Sequence, residues 1–288
     1  MVDISIVIAT FNTKDLTRAC IHSIISSYPK EFREKKFEII LVDNASSDGT
    51  ADEIKGEFGD INVLQNKTNV GFAAACNQGV KDAKGAYFLF LNSDTRTTKK
   101  SNLNDLIDKM RENTTIGIIG GALVSEEGLV QKSYGSFYHL LELIKVLFTG
   151  KKKGRVLSIE SFVDWVSGGF MLTKKSLFQA LNGFDEHFFM YLEDMEFCYR
   201  ASQKGHKVLY APWAKVFHKE HGSSSRSFAI GEIYKGILYF YRKHKNGFLL
   251  ILVKGMLLLK ALVAMGIGVV SGNKYLFSTY KNVLRYAL

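Results

Sequence analysis

The stretch Phe37-Glu38-Ile39-Ile40-Leu41-Val42-Asp43-Asn44-Ala45-Ser46-Ser47-Asp48-Gly49-Thr50 decides the fold. Its first half is short, β-branched and almost wholly apolar, the pattern of a strand buried on both faces, and it stops at an aspartate. A loop of small polar residues follows and supplies a helix-start signal. Outward from it the same unit recurs. Residues 4–9 read as an apolar strand, 14–27 as a helix with Leu16, Ala19, Cys20 and Ile24 on one face, 51–58 as a second helix and 61–64 as a third strand. A further helix over 72–83 leads to strand 86–91. Apolar strands alternating with helices predict a mainly parallel, Rossmann-like α/β sheet covered on both faces, with ligands beyond the carboxyl ends of its strands. At those ends stand Thr10-Phe11-Asn12, Asp43-Asn44 and Asn92-Ser93-Asp94.

Past Asn113 the alternation weakens. Residues 116–120 form a fifth strand, 122–134 a hairpin around Glu127-Gly128, and 138–148 an apolar helix followed by the basic run Lys151-Lys152-Lys153-Gly154-Arg155. Residues 165–172 read as a strand broken by Gly168-Gly169, and 193–203 as a helix opened by Glu193, Asp194 and Glu196. From Phe228 onward aromatic, basic and aliphatic residues dominate, so a catalytic domain over 1–225 is expected to carry a helical appendage over 226–288. Inside the appendage, residues 248–270 are long enough to cross a bilayer but contain Lys254 and Lys260. Two central lysines at about +2.5 to +3.5 kcal/mol each offset the aliphatic gain, which makes lying in the interface easier than spanning.

The chain has 288 residues, 47% apolar and 23% charged, which leaves room for a packed core and excludes a disordered or low-complexity chain. A net charge of +10 points to an anionic partner. Between Arg226 and Arg285 ten Lys or Arg residues face one acidic residue, Glu232, so this stretch carries +9 of the surplus. The charge therefore reads as attraction to an anionic membrane surface, not as a nucleic-acid groove. Three scattered cysteines, Cys20, Cys76 and Cys198, form neither a disulfide framework nor a CxxC metal site, which fits a reducing, cytoplasmic setting. Residues 1–9 run straight into a strand pattern without the features of a signal peptide.

The junction Thr10-Phe11-Asn12-Thr13 has no glycine, which argues against both a dinucleotide fingerprint and a P-loop. Asp43 either shapes a turn or offers a pure acceptor to the N–H edge of a base. Asn69-Val70-Gly71-Phe72-Ala73-Ala74 opens a helix with small residues, and a free helix start there suits a ribose or a phosphate. Asp94 either closes a strand or gives a hard oxygen to Mg²⁺ or Mn²⁺ on a diphosphate. Glu193 and Asp194 either balance a helix dipole or include a general base. His218-Lys219-Glu220-His221 lacks the order and partners of a zinc site, and one histidine as a further cation ligand near Asp94 fits better.

Taken together, these segments resemble the inverting family-2 glycosyltransferases of the A-type fold, and within them the rhamnosyltransferase-like branch. The resemblance covers about residues 3 to 225 and rests on order: Thr10-Phe11-Asn12, the stretch through Asp43 to Thr50, Asn69-Val70-Gly71-Phe72 with Asn77, Leu91-Asn92-Ser93-Asp94, Gly168-Gly169-Phe170-Met171-Leu172, Glu193-Asp194-Met195-Glu196-Phe197-Cys198-Tyr199-Arg200, and then His218. It implies that Ala9, Thr10, Asn12 and Asp43 line the nucleotide pocket, and that Asn69, Gly71, Asn77, Asn92 and Ser93 border the ribose, diphosphate or sugar. It implies a divalent cation on Asp94 with His218, Asp194 as base with Glu193 as second candidate, and an acceptor side shaped by Trp165, Gly168 and Gly169. Asn92 departs from the family by replacing the first Asp of its DxD, which leaves one carboxylate fewer. The implied reaction is a metal-dependent single displacement from a nucleotide-diphospho-sugar to a polyprenyl-diphosphate-linked saccharide. It would serve cell-surface polysaccharide synthesis at the cytoplasmic face of the membrane, with dTDP-L-rhamnose the favoured donor and UDP-hexoses or UDP-galactofuranose its competitors. A nucleotidyltransferase would instead open on a glycine-rich basic loop, and a non-catalytic surface binder would not need Asp94, Asp194 and His218 together.

Overall fold

The computed structural model describes residues 1–148, 156–219 and 225–287. In chain order the elements are β1 (Ile4–Thr10), α1 (Lys14–Ser27), α2 (Pro29–Arg33), β2 (Phe37–Asp43), α3 (Thr50–Glu57), β3 (Asn62–Gln65), α4 (Phe72–Gly79), β4 (Tyr87–Asn92) and β5 (Thr95–Arg96). Then come α5 (Leu103–Glu112), β6 (Ile116–Val124), β7 (Val130–Gln131), β8 (Tyr134–Gly135), α6 (Leu140–Phe148), β9 (Ser161–Val163), β10 (Trp165–Val166), β11 (Phe170–Lys174) and α7 (Lys175–Ala180). The chain ends with α8 (Glu193–Gln203), β12 (Lys207–His218), α9 (Arg226–His244), α10 (Gly247–Val270) and α11 (Lys274–Ala287). Two compact units result: Met1–Gly135, Val156–Phe189 and Glu193–Ser223 form the first, and Ser136–Arg155, Met190–Leu192 and Ser224–Leu288 the second. The basic run 151–155 and the residues Glu220 and His221 lie outside the described residues.

The first unit is built on a sheet ordered β3-β2-β1-β4-β11-β6-β12-β5. Its first four strands are parallel, as their apolar runs predict, and the order reverses at β1, which pairs with β2 on one side and β4 on the other. In sheets of this kind such a reversal is where a ligand crevice forms, here beyond Thr10, Asp43 and Asn92. The other half is mixed. β11 runs antiparallel between β4 and β6, while β12 is parallel to β6. The break at Gly168-Gly169 is what separates β10 from β11, so the apolar run read as one interrupted strand serves two sheets, β10 pairing with β8. β12 slips register between Ala211 and Lys215, around Pro212, which has no N–H for the ladder.

The core packs Ile4, Ile6 and Ile8 of β1 with Leu89 and Leu91 of β4 and with Cys20, Ile21 and Ile24 of α1. The buried face of α1 is Thr17, Cys20, Ile21 and Ile24, rotated from the expected Leu16 and Ala19, because the Thr17 hydroxyl is hydrogen bonded to that of Thr10 at 2.7 Å. α4 stops at Gly79, short of the expected residue 83. α5 presents Leu103, Leu106, Ile107 and Met110 on one buried face, a helical spacing that the sequence reading passed over.

In the second unit α9, α10 and α11 start on side-chain caps: Ser225 accepts from the Phe228 N–H, Asn246 from Leu249 at 2.9 Å and Asn273 from Leu276 at 2.9 Å. α10 turns Val253, Leu257, Ala261 and Gly268 inward. Gly268 lies against the backbone of Phe277 in α11, the Tyr234 hydroxyl of α9 donates to the Leu257 carbonyl at 3.3 Å, and that of Tyr241 donates to the Tyr138 carbonyl at 2.7 Å.

Candidate active site

At the end of β2, Asp43 is fully buried and its two oxygens are used differently. Oδ1 accepts from the Ser46 N–H at 3.2 Å and from the Ser46 hydroxyl, closing the loop, whereas Oδ2 is buried without a partner. The turn thus uses one oxygen of Asp43 and leaves the other without a partner. Asn12, at the end of β1, ties the neighbouring loop down: its Oδ1 accepts from the Ser47 N–H at 2.8 Å, and its own N–H donates to the Ser46 hydroxyl. Asp48 accepts from the N–H groups of Lys14 and Thr50, fastening the starts of α1 and α3 together. The backbone at Asn12 and Ala45 is left-handed, strain of the kind that gathers at binding loops.

Thr10 and Ser93 are buried in a hydroxyl cluster with Thr13 and Thr17, the Thr13 hydroxyl lying 2.8 Å from Thr10 and 3.1 Å from Ser93. They pin the ends of β1 and β4 to each other, with Ala9 opposite Val42 and Asn92.

The loop into α4 is held by amides. Asn44 donates to the Gly71 carbonyl at 3.1 Å, Asn69 accepts from the Gly71 N–H at 3.0 Å, and Asn66 joins Asn44 to Gln78. The Phe72 N–H donates to the Phe189 carbonyl at 2.7 Å, so the first N–H of α4 is already engaged. Asn77 has a structural part beside the ligand role expected of it. Its amide donates to the Phe184 carbonyl at 2.8 Å and to Glu186 at 2.9 Å while accepting from the Phe184 N–H, so it orders the loop after α7.

The three carboxylates that open α8 have three uses. Glu196 grips Arg200 through both oxygens, and that guanidinium donates on to the carbonyls of Leu181 and Gly183. Glu193 is buried with Oε2 unpartnered; burial, and then the charge of Asp194, push its carboxyl well above the usual range. Asp194 accepts from the Gly168 N–H at 3.0 Å and from the Met195 N–H at 2.7 Å. Burial raises its pKa, and those two donors work against the rise.

Gly168 and Gly169 join this carboxylate to the end of β4. A Cβ at Gly168 would sit 3.2 Å from the Phe72 ring, and one at Gly169 would sit 3.1 Å from the Asn92 amide, so a side chain at either position would press these segments apart by a few tenths of an ångström. The Asn92 N–H donates to the Gly169 carbonyl at 3.3 Å, and its amide nitrogen is 3.4 Å from His218 Nε2. His218 Nε2 is also 3.4 Å from Asp94 Oδ1, which is buried and unpartnered; burial raises the Asp94 pKa against the pull of His218. Trp165 lies in the β8–β10 ribbon against Gly135. The sequence reading placed Asn44 at a strand end without giving it a role and missed Asn66 and Gln131, the last of which binds His218 at 2.6 Å. Their partners lie 12 to 87 residues away, and only the folded topology supplies them.

Comparison with known proteins bears on the family and the fold. Over 215 residues, 67% of this chain and 70% of the relative, it is 26% identical to the N-acetylglucosaminyl-diphospho-decaprenol L-rhamnosyltransferase of Mycobacterium tuberculosis. Over 154 residues, 51% of this chain and 57% of the relative, it is 32% identical to the rhamnosyltransferase WbbL of Escherichia coli. Among solved structures it resembles S. aureus TarS 1-349 in complex with UDP, with a TM-score of 0.57 and 15% identity over 87% of this chain and 69% of that one. It also resembles GalNAc-T7 with UDP, GalNAc and Mn²⁺, with a TM-score of 0.58 and 19% identity over 84% of this chain and 50% of that one. At these identities the structures speak for the fold, which is the A-type glycosyltransferase fold. The model of the family described as "Glycosyl transferase family 2" matches residues 5–194, and with the rhamnosyltransferase relatives it identifies the chain as a member of glycosyl transferase family 2, in its rhamnosyltransferase-like branch.

Proposed function

We propose that this glycosyltransferase moves a sugar, with inversion, from a nucleotide-diphospho-sugar to a hydroxyl of a lipid-linked saccharide. dTDP-L-rhamnose is the first donor to test, followed by UDP-hexoses and UDP-galactofuranose. The observation that carries the reading is the Gly168-Gly169 bridge, which brings the Asp194 carboxylate beside the Asn92–Asp94–His218 corner in the crevice that Asp43 borders. The Mycobacterium relative, named for an L-rhamnosyl donor and a diphospho-decaprenol acceptor, supports the choice of both substrates.

In this reading the acceptor oxygen attacks the anomeric carbon while the bond from that carbon to the diphosphate oxygen breaks, its electron pair leaving with the diphosphate. The hydroxyl proton passes to Asp194. A single displacement with no enzyme nucleophile inverts the anomeric centre. Asp94 and His218 fit a divalent cation, because a buried unpartnered carboxylate oxygen faces an imidazole nitrogen. Among the described residues no group of three or more His, Cys, Asp or Glu is placed to hold a metal, so diphosphate and water would complete the shell. A bound Mg²⁺ or Mn²⁺ would neutralise charge on the departing nucleoside diphosphate. A panel of nucleotide-sugars, read by thermal shift and by the anomeric configuration of the product, tests the reading. Retention of configuration, or no donor that both stabilises the protein and is consumed, would sink it.

Asp43→Asn puts a second donor where the reading places the N–H edge of a base. A hydrogen bond to a charged group is worth about 1.5–3 kcal/mol, so nucleoside diphosphate affinity should fall about 10- to 150-fold by calorimetry, with little change in melting because Oδ1 keeps its Ser46 contacts.

Glu193→Gln separates the two candidate bases. With a raised folded pKa, Glu193 contributes stability that is complete below its unfolded pKa and is lost as pH rises through the folded one. The variant should therefore narrow the melting difference between pH 5 and pH 8 and keep kcat within about threefold, since a neutral amide replaces a neutral carboxyl. A collapse of kcat would move the base to Glu193.

For the second unit the reading is in-plane association with an anionic membrane on the cytoplasmic face. α10 exposes Ile251, Leu259, Leu262 and Val263 on its outward arc, while Lys254 and Lys260 flank the packed stripe. Spanning would carry α9 and α11, with Glu232, Arg242, Lys281 and Arg285, into hydrocarbon, because both pack on α10. Leu259 and Leu262 are 54% and 50% exposed, so changing both to Glu leaves packing intact and should cut co-sedimentation with phosphatidylglycerol vesicles at least about tenfold. Unchanged binding would remove α10 from the membrane contact.

A further inference from the structure

We infer that Gln131 is a positioning residue that locks His218 in the tautomer whose Nε2 lone pair faces Asp94; this rests on the proposed cation site. The orientation follows from hydrogen-bond chemistry. The side-chain nitrogen of Gln131 is 3.0 Å from the backbone carbonyl of His218, and a carbonyl can only accept, so the NH₂ end of the amide points there. Its Oε1 is thereby turned to His218 Nδ1 at 2.6 Å. Oε1 can only accept in turn, which places the proton on Nδ1 and leaves Nε2 bare in the neutral ring. Nε2 is the nitrogen 3.4 Å from the orphaned Asp94 Oδ1. The Asn92 amide nitrogen, 3.4 Å from the same Nε2, presents a donor and agrees with an unprotonated nitrogen there.

The fold delivers this pair from two elements remote in sequence. The turn between β6 and β7, with Gly128 left-handed, returns Gln131 opposite Leu123. β12 runs parallel to β6 and carries His218 one residue past Phe217, which lies opposite Val124, while β5 pairs His218 with Thr95 next to Asp94. The two-point amide clamp grips both the ring and the backbone of one residue, so it fixes ring direction as well as tautomer. Outer partners of this kind commonly set metal affinity by about 10- to 100-fold.

The test compares Gln131→Leu, Gln131→Glu and His218→Ala by Mn²⁺ affinity in the presence of dTDP or UDP, read by electron paramagnetic resonance, with melting curves alongside. Gln131→Leu should weaken Mn²⁺ binding about 10- to 100-fold, and Gln131→Glu, which keeps an acceptor for Nδ1–H, should restore it to within about threefold. If His218→Ala weakens Mn²⁺ but Gln131→Leu stays within about twofold of the parent, the inference falls and the cation site stands. If His218→Ala changes nothing, the cation site itself falls. Should Gln131→Leu not fold, ¹⁵N chemical shifts of His218 in the unaltered, metal-free protein decide: a neutral ring protonated on Nδ1 upholds the clamp, and one protonated on Nε2 overturns it.

Discussion

Replacing Asp194 with asparagine is expected to lower kcat about 10²- to 10⁴-fold, the range that a positioned general base contributes, while leaving donor binding near that of the parent. The expectation rests on geometry. Asp194 is the carboxylate tied to Gly168, and Gly168-Gly169 is the bridge to Asn92 beside Asp94 and His218. Glu193, by contrast, is buried with Oε2 unpartnered, and burial and the charge of Asp194 push its carboxyl well above the usual range. The introduced amide would keep one of the two backbone donors through its carbonyl oxygen and set its NH₂ against the other, a mismatch of about 1–3 kcal/mol. Melting should fall by a few degrees without loss of the fold. Residual activity in the variant should lose the acid limb that Asp194 gives the parent, a limb placed above the ordinary carboxylate range because burial raises that pKa. Single-turnover rates, donor affinity and melting measured together settle the matter. A variant that binds donor, folds and still transfers sugar at the parental rate would remove Asp194 from the chemistry, and one that fails to fold would show that its two backbone contacts are chiefly structural.

The parallel wing of the sheet was legible because each of its strands except the short β3 is an almost unbroken apolar run ending in a polar residue, a pattern with few other uses. The mixed wing was not. β11 and β6 are as apolar as β4, and nothing in an apolar run reports whether its partner is parallel or antiparallel; β12 is disguised further by Pro212 and a slipped register. The site shows a similar division. Positions at strand ends, such as Asp43 and Asp94, could be read because topology alone places them in the crevice. Asn77 could not, since its three hydrogen bonds reach residues more than a hundred positions later. The two readings of Asp43 as turn former or ligand acceptor are compatible in the structure, because Oδ1 forms the turn and Oδ2 is left without a partner. Asp194 offers the same lesson in another form: backbone donors that resemble simple helix capping also hold its charge in place and oppose the effect of burial.

Gly71→Ala is expected to be the most damaging small substitution at the site. With φ +86° and ψ 172°, Gly71 occupies backbone space essentially closed to side-chain-bearing residues, at a cost of about 1–3 kcal/mol. An added Cβ would also run into the Phe189 carbonyl oxygen, which already accepts the Phe72 N–H at 2.7 Å. Moving that carbonyl breaks the bond, and moving Gly71 instead pulls its own carbonyl from the Asn44 amide; either adds about 1 kcal/mol. A total of about 2–4 kcal/mol is a large part of the 5–15 kcal/mol that stabilises a typical domain, and corresponds to a melting loss of about 10 °C. Activity should fall more steeply than the folded fraction, because Phe72 packs over Gly168 and a shift there reaches the Asp194 carboxylate. Gly56→Ala supplies the control. Gly56 lies within α3 with nothing inside 4 Å of a new Cβ, so the same chemical change should stabilise the protein by about 0.5–1 kcal/mol there. Measured in parallel, Gly56→Ala should melt higher with an unchanged single-turnover rate, and Gly71→Ala should lose both melting temperature and rate. Equal melting temperatures in the two would mean that the turn before α4 tolerates a side chain, and the tight loop between Asn69 and Phe72 would then have no part in holding the site.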